Sequence, residues 1–275
     1  MNWNKAKSIL IVCFLIIDLV LLHMYIKKLD ASNKDLSIAK SDVIAILKDK
    51  GVDLDESELK EGSDYKGYIV KYHDFDIDRA NQIFFDGKAE LDDRYELKIL
   101  SMGERSVSIS QGTLLSYMDS SKETQYENLD KESALSIANQ FLQMNSFNVK
   151  DIVFDGIYID DEAYQVHYAI KHDGNYLENS FINFTIDKRG IRRLDMMYLE
   201  YINTEDELIK LADVKDKILS IIDKPEVQGK SIDRIDMCYY LDDVTLDQSY
   251  ELKITRLRAK PHWRITFTDG YKMIL

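Results

Sequence analysis

The sequence predicts an α+β protein: an N-terminal transmembrane helix followed by repeated helix-plus-antiparallel-sheet units. Three observations carry this. Residues 8–26 form one long apolar run. Beyond it, segments of helical periodicity recur, each followed by segments that alternate with period two. The chain of 275 residues is 45% hydrophobic and 31% charged, with only two prolines and two cysteines. That composition excludes a disordered chain, a proline-rich stalk, a disulfide scaffold and a zinc site built on paired cysteines.

The run Ser8–Ile26 holds 19 residues, 13 of them Leu, Ile, Val or Phe, and one acid, Asp18. As a helix it spans about 28 Å, one hydrocarbon core. Its apolar residues favour insertion by about 4 to 8 kcal/mol, against a cost of about 3 for Asp18. No small-x-small cleavage site follows the bulky His23-Met24-Tyr25-Ile26, so an uncleaved anchor is expected. Lysines flank the run on both sides (Lys5 and Lys7, then Lys27, Lys28 and Lys34), so charge alone does not choose an orientation. A short cytoplasmic tail with the large domain outside is the commoner arrangement.

Three helices are expected beyond the anchor. The first runs from about Leu36 to Lys50, with Ile38, Val43, Ile46 and Leu47 apolar. The second starts at an Asp130 N-cap and carries Leu135, Ala138, Phe141 and Leu142. The third opens on Thr204-Glu205-Asp206-Glu207, read as a capping box, and continues through Leu208, Leu211, Val214, Ile218 and Ile221. Leu36-Ser37-Ile38-Ala39 recurs as Leu135-Ser136-Ile137-Ala138, a weak internal repeat.

Strands fill the intervals. In the first unit they are Tyr68 to Tyr72 and Gln82 to Phe85, the latter before an Asp86-Gly87 hairpin signal. In the second, Tyr164, Val166, Tyr168 and Ile170 alternate with polar neighbours and turn at Asp173-Gly174-Asn175. Ile182, Phe184 and Ile186 follow, and Asp187–Gly190 turns into a further strand ending near Tyr201. In the third, Tyr250, Leu252 and Ile254 precede Trp263, Ile265 and Phe267. The polar stretch Met118–Asn128 is the best boundary between the first two units. The expected organisation is therefore 1–7 tail, 8–26 transmembrane helix, 27–127 a first extracytoplasmic helix/sheet unit, and 128–275 a second region of two such units.

The net charge is −13, from 36 basic and 49 acidic residues. The lysines beside the anchor make the remainder more acidic still. This lacks the basic footprint of a nucleic-acid binder, and the domain should be repelled by anionic lipid and acidic wall polymers.

The opening Met1-Asn2-Trp3-Asn4-Lys5-Ala6-Lys7, running straight into an apolar helix with a central Asp18, resembles the YycI family. The length, the acidic domain and the repeated helix-plus-strands order agree with it. YycH is the nearest competing family, with a considerably longer chain. The resemblance implies a non-enzymatic accessory regulator, without cofactor, of the WalK/WalR (YycG/YycF) two-component system of Gram-positive bacteria. Its implied partners are the sensor histidine kinase WalK and the companion protein YycH, and its implied role is in signal transduction controlling cell-wall metabolism.

The residues themselves supply no convergent catalytic set. Ser37-Ile38-Ala39-Lys40 matches S-x-x-K, but no S-D-N or K-T-G accompanies it, and a solvated helix explains it. Cys13 lies in the anchor, and Cys238 lies in an apolar strand-like run, where a buried thiol is expected. Asp74-Phe75-Asp76-Ile77-Asp78 begins like an EF-hand loop, but Arg79 and Phe85 stand where Gly and Glu are required. A solvated acidic turn before a strand fits better. His167 and His172 are five apart without H-E-x-x-H, and no nucleotide-binding glycine motif occurs.

The remaining anomaly is Asp18, near mid-bilayer. Intramembrane acids usually face a protein partner, since lipid offers none. Helical spacing groups Phe14, Leu15, Leu22 and Tyr25 around the same side. These five residues are the candidate contact face for a partner transmembrane helix. The alternative function class is an anchored cell-wall enzyme or wall-polymer-binding domain.

Overall fold

In the computed structural model the described residues are 14, 17, 18, 20–22, 24, 39–94, 97–145, 151–242 and 256–275. The protein is a sheet-rich α+β fold with few helices. Helix α1 spans Lys40–Asp49, and strand β1 spans Asp64–Tyr72. Helix α2 (Ile77–Phe85) leads to β2 (Glu90–Arg94), β3 (Leu97–Met102), β4 (Arg105–Ser110) and β5 (Leu114–Asp119). Helix α3 (Lys131–Asn145) is followed by β6 (Ile152–Asp160), β7 (Ala163–His172), β8 (Asn175–Leu177), β9 (Phe181–Asp187), β10 (Gly190–Met197) and β11 (Leu199–Lys210). A short α4 (Val214–Ile218) precedes β12 (Ile232–Tyr240), β13 (Leu257–Phe267) and β14 (Lys272–Ile274). The main path of strands is β11-β1-β13-β12-β8-β7-β9-β10-β5-β4-β3-β2, with β14 on β13 and β6 on β7. Named strands pair antiparallel except β12 with β8.

Two large apolar cores, with two smaller clusters beside them, organise these strands. In the first, α2 and α3 cover one face of the β7-to-β3 strands, burying Phe85, Leu100, Ile109, Ala138, Phe184 and Leu194. In the second, α1 and α4 pack on β12 and β13, burying Val43, Leu47, Val214, Ile218, Ile235 and Trp263. The Trp263 indole N–H is satisfied by the Ala212 carbonyl at 2.7 Å, as a buried indole requires.

The first expected unit is therefore split between the cores. Its α1 packs in the second core and its β1 pairs with β13, burying Tyr68 and Val70 in a smaller cluster, while α2 and β2–β5 join the first core's sheet. The contact between β5 and β10 crosses the polar stretch 118–128.

Several sequence expectations hold. Asp130 accepts the Ser133 amide at 2.8 Å and caps α3. The period-two runs at 164–170 and 182–186 are β7 and β9, and the turn between β7 and β8 holds Asp173 and Gly174 at positive φ. The first helix begins at Lys40 among described residues; Leu36 and Ile38 lie outside them, as do Tyr250, Leu252 and Ile254.

Two expectations are corrected. Residues 204–210 are strand, not helix. The eight-residue register of β11 with β1, from Asp64–Lys210 to Tyr72–Leu199, outweighs one local capping signal. Glu205 instead crosses β1 at Gly67 to reach Arg258 on β13 at 2.6 Å. A Cβ at Gly67 would stand 2.3 Å from the Glu205 carboxylate. Likewise, Gln82–Phe85 is the end of helix α2, not a strand. Asp76 caps it through the Arg79 amide at 2.7 Å, and Asp86, at φ 51°, closes it in the left-handed conformation. The Asp86-Gly87 pair is a helix stop rather than a hairpin. Four apolar-rich residues were too few to distinguish a helical from a strand period.

Candidate functional site

Of the predicted contact face, Phe14, Asp18 and Leu22 are helical and exposed, at i, i+4 and i+8 on one helix face. Phe14 is 59% and Leu22 55% exposed. Leu15 and Tyr25 lie outside the described residues. Among the described residues no helix is long and apolar enough to cross a membrane.

The folded body contains two polar constellations; of their members the sequence singled out only the run 74–79, as an EF-hand-like segment. The first is a buried charge cluster between β6, β12, β13 and β14. Asp155 sits at a β6 bulge beside Gly156 and is 3% exposed. It accepts from Arg264 Nη2 at 2.5 Å, from Arg234 Nη2 at 3.0 Å, and from Lys272 Nζ. Arg264 is fully buried. Its Nε lies 2.6 Å from Glu178, a close ion-pair contact without hydrogen-bond geometry, and Nη1 has no hydrogen bond among the described residues. The guanidinium stacks over Tyr176, 4.1 Å from the ring centroid. Burial raises the Asp155 carboxyl, but Arg264 and Lys272 outweigh it and hold the group below its ordinary range. Burial pushes Glu178 up, only partly offset by the same two cations.

The second is a cleft of about 180 Å³ beside α2 and the start of β5, at the edge of the first core. Its floor is Phe75, Ala80, Ile83, Leu115 and the Tyr198 ring; His73, Asp74, Asp76 and Arg79 form its rim. The walls are tied by His73 N–H to the Tyr198 carbonyl at 2.9 Å and Phe75 N–H to the Gly112 carbonyl at 2.7 Å. The His73 ring stacks on Tyr198 at 4.4 Å between centroids, and its Nδ1 lies 2.6 Å from Glu200 Oε1. Burial raises Glu200, but bonds with His73 and Lys71 prevail and keep its carboxyl below the usual range. Burial, then the Glu200 charge, pushes the Tyr198 phenol well up; Arg79 opposes this.

The other sequence candidates do not converge. Cys238 is buried on β12, and burial pushes its thiol up. His172 stacks on Tyr201 at 3.9 Å, whereas His167 meets Tyr158 edge-on. Asp76 of the EF-hand-like run is a helix cap, and among the described residues no three His, Cys, Asp or Glu side chains are grouped to hold a metal ion. Lys40 of the S-x-x-K run opens α1; Ser37 lies outside the described residues. Arg264 was not legible as special, because an arginine in an alternating strand is ordinarily its solvated face, whereas here Asp155 of β6, Tyr176 of β8, Glu178 and β14 surround it.

By sequence, no family model and no curated protein matches the chain. By structure, it is similar to an uncharacterized protein from Eubacterium rectale, with 12% identity, a TM-score of 0.50 and coverage of 82% of this chain and 85% of that one. At that identity the likeness shows the fold alone. YycH from Bacillus subtilis is 12% identical, with a TM-score of 0.49 over 84% of this chain and 60% of that chain. The Bacillus megaterium YpeB C-terminal domain is 8% identical, with a TM-score of 0.42 over 74% of this chain and 93% of that one.

Proposed function

We propose that the chain is a single-pass, non-enzymatic regulator of a cell-wall-controlling sensor histidine kinase. Residues 8–26 anchor it with the N-terminus in the cytoplasm, and the α+β body lies outside. It acts through contacts of its anchor with the kinase's transmembrane helices and through extracytoplasmic contacts with a companion protein. The resemblance of the first seven residues and the anchor to YycI names WalK and YycH as those partners.

The observation that carries this reading is Asp18. It is an acid midway along a 19-residue apolar run, helical and exposed, aligned with the equally exposed Phe14 and Leu22. An acid so placed in lipid needs a polar group from another helix. The test is purification of the tagged full chain in mild detergent, followed by identification of co-purifying proteins and by depletion of the chain with a readout of wall-metabolism promoters. Recovery of a histidine kinase and a shift in those promoters is expected. Recovery of the chain alone, with unchanged promoters and turnover of isolated wall material, would favour the anchored-enzyme alternative.

A further inference from the structure

The hairpin of β6 and β7 lies over β12, β13 and β14 with little apolar packing between them. Val153 and Ala169 meet Cys238 and Ile274 there, with Tyr176 beside them. The rest of this seam is polar: Asp155 on β6 receives Arg234 from β12, Arg264 from β13 and Lys272 from β14. With so small an apolar cluster, charge decides how firmly the seam is closed.

His167 faces the seam. Val166, Tyr168 and Ile170 of β7 point into the first core, so His167 points the other way with Ala169, as strand alternation requires. His167 stands in register with Gly156, the residue after Asp155. Its ring meets Tyr158 edge-on, with 5.6 Å between centroids. Tyr158 in turn lies against Gly270, at φ 87° in the turn between β13 and β14, where a Cβ would stand 2.2 Å from the ring. One aromatic ring therefore connects His167 to the strands across the seam.

The carboxylates around His167 are already engaged. Asp155 Oδ1 takes Arg234, and its Oδ2 takes Arg264 and Lys272. Glu178 faces Arg264, while Asp233 and Asp236 face Arg234. Tyr176 lies under the Arg264 guanidinium, and the buried Cys238 thiol is pushed up and stays neutral. A proton on His167 would add a further cation beside Arg234, Arg264 and Lys272. Burial, then Lys272, holds the imidazole below the ordinary histidine range, with Asp155 opposing them.

We propose that His167 is an acid sensor for this seam: once protonated, it repels the cations of β12, β13 and β14 and parts the hairpin of β6 and β7 from them. Because its proton binds more weakly in the closed seam than in an open one, closure is complete above about pH 6.5 and weakens as pH falls below it. Glu178, pushed up by burial, works in the opposite sense, and Asp155, held down by its cations, loses its charge only in stronger acid.

The test is hydrogen–deuterium exchange of the full chain in detergent micelles at about pH 7.5 and about pH 5.5, read by mass spectrometry and corrected for the intrinsic pH dependence of exchange. One unit below its ordinary value an exposed histidine is about nine-tenths protonated, so opening can rise by up to about tenfold. Amides of β6 and β14 are expected to exchange about three- to tenfold faster at the lower pH, while those of β9 and β10 keep their rates. His167→Gln keeps a polar side chain without the charge and should abolish the rise. Should that variant not fold, Lys272→Met decides in its place: it removes the cation that most opposes the proton and should cut the rise to about half or less. Equal exchange at the two pH values in the parent would overturn the proposal. So would a rise that persists in His167→Gln or, in its place, an undiminished rise in Lys272→Met.

Discussion

At the scale of single residues, the body is governed by one buried anion. Asp155 compensates Arg264 inside the fold and simultaneously receives Arg234 and Lys272. Replacing a buried ion-pair partner strands the other charge, at a cost of about 3–5 kcal/mol. Glu178 stays 2.6 Å from Arg264, so Asp155→Asn is expected to lower urea-unfolding stability by the lower end of that range, with an unchanged m-value. The pH dependence has a definite sign. The folded Asp155 pKa lies below its unfolded value, so its stabilisation is complete above about pH 4 and is lost as pH falls through the folded pKa. The variant should accordingly show a shallower acid-side loss than the parent. A second prediction concerns Cys238, which is buried with its thiol pushed up. In a Cys13→Ser background it should resist Ellman's reagent at pH 8 until denaturant is added. Labelling at native conditions within minutes would contradict the buried placement.

At the scale of elements, neighbouring side chains finish what strands leave open. Glu58 and Lys60, beside a 3₁₀ turn, take the Ile235 amide and carbonyl respectively, the first at 2.6 Å, completing β12 where β8 does not reach. The N-terminal helix carries the third prediction. Asp18→Leu removes the one acid from residues 8–26, so insertion can only improve, by about 3 kcal/mol. Interhelical polar contacts in membranes contribute about 0.6 kcal/mol on average and up to about 2. The variant should keep its membrane level and lose a severalfold share of its two-hybrid or crosslinking signal with the kinase. An unchanged signal would make Asp18 a passenger, and Leu→Ala changes at Leu15 and Leu22 would then separate the apolar face from the folded body.

At the scale of the whole molecule, sequence order and spatial order diverge. β1 lies between β11 and β13, and β5 is hydrogen-bonded to β10, so strands from the first half are completed by strands from the second. A fragment of residues 27–127 would expose the edges of β1 and β5 and half of each core. It should lack amide dispersion in a two-dimensional NMR spectrum, whereas residues 27–275 should show it. A dispersed spectrum from the short fragment would show that its units fold independently despite the shared sheet.

What the sequence determined by itself was the α+β class, the period-two strands at 164–170 and 182–186, the Asp130 cap, and the burial of Cys238. Each rests on interactions between near neighbours along the chain, which local pattern records. Tertiary structure alone decided the strand at 204–210, the helix at 77–85, and the joining of α1 to α4 and of α2 to α3. It also decided both polar constellations. Asp155 and Arg264 are 109 positions apart, and His73 and Glu200 are 127 apart. The burial that gives those groups their chemistry is supplied by strands remote in sequence, and no local period carries it.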